Sequence, residues 1–208
     1  MNRTLGRLRK NLLNMQRLKI QNPELVFFTS DLHFHHENMI KICKRPYEDV
    51  EEMNQGLVDL YNEVVPKDGI CFILGDVSWK RPNWTQHLVD QMNGKKYLIT
   101  GNHDKNGTEA MFSGYWDMLQ LLIMNEKGVY DDVHLCHFPL EEWNGYFRGA
   151  YHLHGHLHSP ESKICTADLR LDVGVDGHNY KPWPWLEIKE FLNNNRKEKR
   201  NGTISTEY

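Results

Sequence analysis

The sequence predicts an α/β fold, and three observations predict it. Short apolar runs rich in branched and aromatic residues (25–29, 70–74 and 96–100) alternate with segments of helical periodicity through the first half. After Gly128 the pattern changes to strands joined by turns. With 208 residues, 39% of them hydrophobic, one sizeable core can form without disulfides or structural metals.

Taken in order, Leu5, Leu8, Leu12, Met15 and Leu18 recur at three- and four-residue spacing, and the opposite face carries Arg3, Arg7, Arg9, Lys10, Arg17 and Lys19. This predicts a basic amphipathic helix over residues 1–22, packed on the domain edge or on a second copy as a homo-oligomer contact, or serving as an arm for nucleic acid. Residues 25–29 read as a buried strand, followed by a helix to about Lys44 that Arg45-Pro46-Tyr47 breaks. Residues 48–65 read as a surface helix with Met53, Leu57, Leu60, Tyr61 and Val64 inward. The second strand, 70–74, leads to Gly75-Asp76; a helix at 83–92 stops at Gly94, and the third strand, 96–100, leads to Asn102 and His103. A helix is expected at 109–119, an apolar run at 121–124, and strands at 129–137, 146–154, 169–175 and 185–188. The domain thus spans 23–192, and the polar stretch 193–208 reads as a frayed tail.

Composition narrows the function. A net charge of −3 excludes a globally basic nucleic-acid binder. Cys43, Cys71, Cys136 and Cys165 are widely spaced without a C-x-x-C, as in reduced cytoplasmic proteins. No apolar stretch approaches the roughly 20 residues that span a bilayer, and the N-terminal cations interrupt any signal-peptide core, so a cytoplasmic protein without membrane partners is expected. Histidine stands out, because the twelve residues are mostly grouped and imidazole is the commonest metal ligand.

Five apolar runs end in metal-ligating residues: Asp31 and His33; Asp76; Asn102 and His103; His137; and His156 and His158. In open α/β sheets the carboxyl ends of strands face a shared crevice, so these groups are expected to converge. Carboxylates, imidazoles and an amide oxygen suit Mn²⁺, Zn²⁺ or Fe. So many candidate ligands exceed one tetrahedral ion and fit two, about 3.5–4 Å apart, with Asp76 as the bridge.

The ordered set Asp31-x-His33, Gly75-Asp76, Gly101-Asn102-His103-Asp104, His137 and Gly155-His156-Leu157-His158 resembles the calcineurin-like metallophosphoesterases, most closely their short bacterial and phage members. The resemblance runs from about Val26 to His158 and implies a four-layer α/β/β/α sandwich. It implies that Asp31, His33, Asp76 and His158 hold one divalent ion and Asp76, Asn102, His137 and His156 a second, with Mn²⁺ expected and Fe, Zn²⁺ or Ni²⁺ as alternatives. His103 would be the catalytic histidine beside the leaving oxygen, with Asp104 orienting it and raising its pKa. His36, Asn102 and His103 would contact the substrate.

The implied activity is phosphodiester hydrolysis by metal-bound hydroxide, with a nucleotide-type substrate. A nuclease and a phosphomonoesterase of the same fold are the alternatives, and a non-catalytic binding scaffold is the rival from another class. The second motif continues Val77-Ser78-Trp79-Lys80 and lacks the arginine found in the superfamily's protein phosphatases. Arg45, Lys80, Arg81 and Arg148 are candidate phosphate contacts, and Tyr47, Trp79, Trp143 and Tyr146 candidate stacking surfaces. His87, His134, His152 and His178 read as structural, and His154 is a weaker site candidate.

Overall fold

The computed structural model describes residues 16–204 and shows a mixed α/β architecture with two sheets, each containing several parallel pairs. One sheet has five strands, in the order Trp183–Pro184 (β11), Val26–Thr29 (β2), Ile70–Ile73 (β3), Lys95–Ile99 (β4) and Tyr115–Trp116 (β5). Strands β2, β3 and β4 are parallel, with Thr29 opposite Ile73 and Ile73 opposite Leu98, so all three end at one level. Their crossovers run through Asn38–Ile42 (α1), Val50–Val64 (α2) and Pro82–Gln91 (α3). Asp49 caps α2 by accepting the Glu52 N–H at 2.8 Å, with Glu51 and Glu52 favourably placed in the first turn.

The second sheet has six strands, in the order Arg17–Ile20 (β1), Met118–Met124 (β6), Tyr130–Cys136 (β7), Tyr151–His154 (β8), Arg170–Asp172 (β10) and Cys165–Ala167 (β9). Strands β7, β8 and β10 are mutually parallel neighbours, which brings the segments after Cys136 and His154 to the same edge.

Period-two alternation divides the core. Val26, Phe28, Phe72 and Ile99 face the second sheet and pack with Leu121, Ile123, Val133, Leu153 and Leu171. Phe27, Cys71, Ile73 and Leu98 face the other way, against Met53, Leu57 and Tyr61 of α2 and Leu88 and Val89 of α3. Burial on both faces explains why these strands read as continuous apolar runs. Phe28, Phe72 and Tyr97 stack across β2, β3 and β4 with centroids 5.7 and 5.3 Å apart.

Four expectations are corrected. Arg17–Ile20 is a strand on β6 rather than the end of the N-terminal helix, because its two apolar residues alternate and Ile20 is buried against the sheet; the rest of that expected helix, 1–15, lies outside the described residues. The helix expected at 109–119 is a 3-10 turn at Thr108–Met111 followed by β5 and the start of β6, where pairing of Tyr115 and Trp116 with Leu98 and Ile99 prevails over local periodicity. The strand expected at 146–154 begins only at Tyr151, since Gly145 and Gly149, in left-handed backbone, close a 3-10 turn. Trp185–Ile204 forms a helix (α4) in place of the expected strand and frayed tail. Its buried Trp185, Ile188 and Leu192 have helical spacing, which a four-residue apolar run conceals. Among the described residues no helix is long and apolar enough to cross a membrane, and no disulfide is formed.

Candidate metal centre

The loops beyond β2, β3, β4, β7 and β8 meet at one end of the two sheets and are laced together by main-chain hydrogen bonds. Asp31 N–H donates to Gly75 O at 3.1 Å, His33 N–H to Asp76 O at 3.0 Å, and Gly155 N–H to His137 O at 3.0 Å. Asp31, His33, Asp76, His156 and His158 adopt φ of 58°, 50°, 54°, 72° and 49°. Non-glycine residues rarely enter this left-handed region, at a cost of about 1–3 kcal/mol each, and such strain concentrates at functional sites. Glycines make the crowding possible: a Cβ on Gly75 would lie 2.6 Å from Gly101 Cα, and one on Gly155 would collide with Ser30 and the Asp31 carboxylate.

The floor of the site is buried and consists of Asp31, His33, Asp76 and His137; the rim, with Asn102, His103, His156 and His158, reaches solvent. Asp76 Oδ2 stands 3.5 Å from His33 Nε2 and 3.6 Å from His137 Nε2. Asp31 Oδ1 stands 3.9 Å from His33 Nε2 and 3.8 Å from His158 Nε2, and Asn102 Oδ1 lies 3.0 Å from His137 Nε2. The His156 ring is 5.2 Å from that of His137. The structure therefore brings together all seven residues predicted as ligands.

Both ring nitrogens of His33 are buried without a hydrogen-bond partner, an arrangement that is costly unless something else binds there. Burial pushes the His33 imidazolium down to about 2, leaving the neutral form that ligates metals, and pushes the Asp31 carboxyl up to about 7 against the pull of His158 and His137. His137 Nδ1–H donates to Leu74 O at 2.7 Å, which leaves Nε2 directed into the site. Two buried carboxylates facing unpartnered imidazole nitrogens form a donor set fit for divalent metal.

Asp176 is part of this arrangement and was not singled out by the sequence reading. Its Oδ2 lies 2.7 Å from His158 Nδ1, and Arg45 grips both carboxylate oxygens at 2.8 and 3.0 Å while donating to the carbonyls of Asp31 and Leu32. Burial opposes ionisation of Asp176, but the His158 and Arg45 hydrogen bonds prevail and hold its carboxyl near 2. Arg45 is thus corrected from a candidate substrate contact to a buried positioning residue. Cys43 also approaches His158 and Asp176. Sequence offered little signal for Asp176 beyond its place just after an expected strand.

Asp104 is corrected as well. Its oxygens accept the N–H groups of Asp76, Val77 and Gly101 at 3.1, 2.9 and 2.8 Å, and among the described residues no hydrogen bond joins it to His103. Neighbouring side chains diverge here, so Asp104 clamps two motif loops together rather than orienting the histidine. Burial raises its pKa.

His103 is half-buried, with its ring centroid 5.6 Å from His33 and 5.5 Å from Trp79. His36 stacks on Trp79 at 4.1 Å and 12° and lies 5.4 Å from His33. Beyond Trp79 a cleft of about 810 Å³ is lined by Lys80, Arg81, Trp84, Lys105 and Asn106, with Asp104, whose carboxylate is taken up by main-chain N–H groups, at its inner wall. Trp143 is buried and donates to Ala150 O, so it is core rather than a stacking surface. His152 and His134 lie buried within the second sheet, as expected for structural histidines.

No protein-family model matches the chain. An uncharacterized protein of Methanocaldococcus jannaschii, MJ1445, is 32% identical over 163 residues, covering 76% of this chain and 85% of that protein. The Gene 66 protein of Mycobacterium phage L5 is 30% identical over 180 residues, covering 72% and 86%, and that of phage D29 is 28% identical over 200 residues, covering 81% and 96%. A crystal structure of a protein of unknown function from Aquifex aeolicus, AQ665, shares the fold with a TM-score of 0.63 at 23% identity, covering 80% of this chain and 98% of that one.

Proposed function

The chain belongs to one family with these archaeal and mycobacteriophage proteins, and we propose that it is a calcineurin-like, metal-dependent phosphoesterase that hydrolyses a nucleotide-type phosphodiester at a dinuclear centre. The observation that carries the reading is the place of Asp76 Oδ2 between His33 and His137, 3.5 and 3.6 Å away, as a bridging carboxylate requires. Asp31, His33, Asp76 and His158 would hold one cation, and Asp76, Asn102, His137 and His156 the other. Manganese is the expected ion, and iron, zinc and nickel suit the same donors. Two such cations supply charge to phosphoryl oxygens and lower the pKa of bound water. A four-layer α/β/β/α sandwich is supported by the apolar layer shared between the sheets and by α2 and α3 on the outer face of the five-stranded sheet.

The chain's own groups do the rest. His36 and Asn102 hold the phosphoryl group, and His103 donates a proton to the leaving oxygen or stabilises its charge. Arg45 and Asp176 fix the ring of His158. Asp176→Asn is expected to weaken manganese binding by about 10- to 100-fold, the usual loss when a ligand's orienting partner is removed, and calorimetric titration measures it. Wild-type affinity would remove Asp176 from the site.

An open rim and adjoining cleft favour a diester over a monoester. The test is hydrolysis of bis-p-nitrophenyl phosphate against p-nitrophenyl phosphate by metal-stripped protein resupplied with Mn²⁺. Faster, metal-dependent diester cleavage is expected. Monoester preference would redirect the reading to phosphomonoesters, and no turnover despite bound metal would favour a binding scaffold.

A further inference from the structure

The cleft beyond Trp79 has a composition that metal binding does not explain. Trp84, on the first turn of α3, is 58% exposed, and Trp79 is 44% exposed. His36 stacks on Trp79, and the two indoles together border one cleft as an exposed aromatic surface rather than as isolated side chains. Each carries a lysine ammonium over its ring: Lys80 Nζ is 4.8 Å from the Trp84 centroid and Lys105 Nζ 5.0 Å from that of Trp79. Arg81 adds a third exposed cation. Among the described residues, none of the three forms an ion pair with a carboxylate, unlike Arg45, Lys181 and Lys189. The cleft's 810 Å³ falls within the roughly 300–1,000 Å³ of small-ligand sites.

Flat exposed indoles with unneutralised cations alongside match one chemistry: an aromatic base joined to a phosphate. The base must be unpaired, since a duplex keeps its base faces stacked on one another. Trp79 also contacts His103 at 5.5 Å, so the cleft begins where the proposed leaving oxygen would depart. We infer that this cleft is a subsite for an unpaired nucleotide, with its base stacked on Trp84 and its phosphate taken by Lys80, Arg81 and Lys105. Its assignment to the leaving-group side rests on the phosphoesterase reading; base binding does not. Lys80 and Lys105, which cover the indoles in the free protein, would swing off the rings to reach the phosphate as the base arrives.

The test is equilibrium binding by fluorescence anisotropy in EDTA, where cleavage cannot interfere, with labelled thymidine dinucleotide and a short labelled oligothymidylate. Trp84→Ala is expected to weaken binding by about 5- to 150-fold, the stacking contribution of one base, while Trp84→Phe retains most of the affinity. Lys80→Gln with Arg81→Gln is expected to flatten the dependence of log affinity on log salt by up to about 0.7, the contribution of the one phosphate they share. Equal affinity for both ligands would identify a small nucleotide diester, and a preference for the oligomer would identify a single strand. Unchanged affinity in Trp84→Ala, equal binding of a duplex, or equal competition by an acidic peptide would overturn the subsite. If binding depends on Trp84 but bis-p-nitrophenyl phosphate is not hydrolysed, the phosphoesterase reading fails and the subsite stands. Hydrolysis with binding indifferent to Trp84 gives the reverse.

Discussion

Asp76→Asn is expected to weaken metal binding at both positions together and to lower diester hydrolysis more than 100-fold. The bound follows from the roughly 10- to 100-fold lost when only an orienting partner is removed, since Asp76 is itself a proposed ligand of both ions. Its Oδ2 serves the His33 and His137 sides, while Oδ1 accepts the His103 N–H at 2.8 Å. The amide is isosteric, so the loop geometry survives, but it carries no charge. Removing a buried carboxylate also relieves a desolvation penalty, so the metal-free variant is expected to melt no lower than the metal-free wild type. That melting curve separates loss of a ligand from loss of the fold. Titration of each protein with manganese gives the direct reading; a variant that kept one ion at wild-type affinity would show that Asp76 does not bridge.

His103→Asn has an effect of comparable size by a different route. Turnover is expected to fall about 100- to 10,000-fold, the range for a positioned general acid, while manganese affinity and stoichiometry remain those of the wild type. The separation follows from geometry. The His103 ring faces the site with its centroid 5.6 Å from that of His33, and among the described residues its one hydrogen bond to a proposed ligand is made by the main-chain N–H, to Asp76. Asparagine retains that N–H. The loss should be smallest for substrates with good leaving groups, such as nitrophenolate, which need less help from a proton. Loss of metal in this variant would contradict the assignment of ligands.

Much of the site was legible in the sequence because its logic is local. Each buried strand is a short apolar run, and the polar residues immediately beyond it cannot be core, so Asp31, His33, Asp76, Asn102, His137, His156 and His158 announce themselves by position. What the sequence leaves hidden is set by long-range contact. Arg45 resembled a loop cation, yet it is buried beneath Asp31 and paired with Asp176, 131 residues away. Asp104 sits next to His103 in sequence but bonds the main chain of Asp76 and Val77. Trp84 fell inside an expected helix, where an apolar residue is ordinarily counted as core, and only the packing of α3 shows it turned to solvent. The same limit applied to the fold. Strands β2 to β4 followed from their continuous apolar runs and helices α2 and α3 from periodicity, whereas β1, β5 and α4 depended on partners elsewhere in the chain.

Calorimetric titration of metal-stripped protein with manganese is the decisive test of the proposed dinuclear centre. Burial holds the Asp31 carboxyl near 7, and, against burial, the Asp176 hydrogen bond and the Asp31 charge hold the His158 imidazolium up to about 10; both must release a proton to bind metal, so affinity is expected to fall as pH drops below 7 and to go on rising above it. Titration above pH 7 is predicted to give two ions per chain, and Asp76→Asn to weaken both. One ion per chain, or two ions whose binding is indifferent to Asp76, would contradict a dinuclear centre bridged by Asp76.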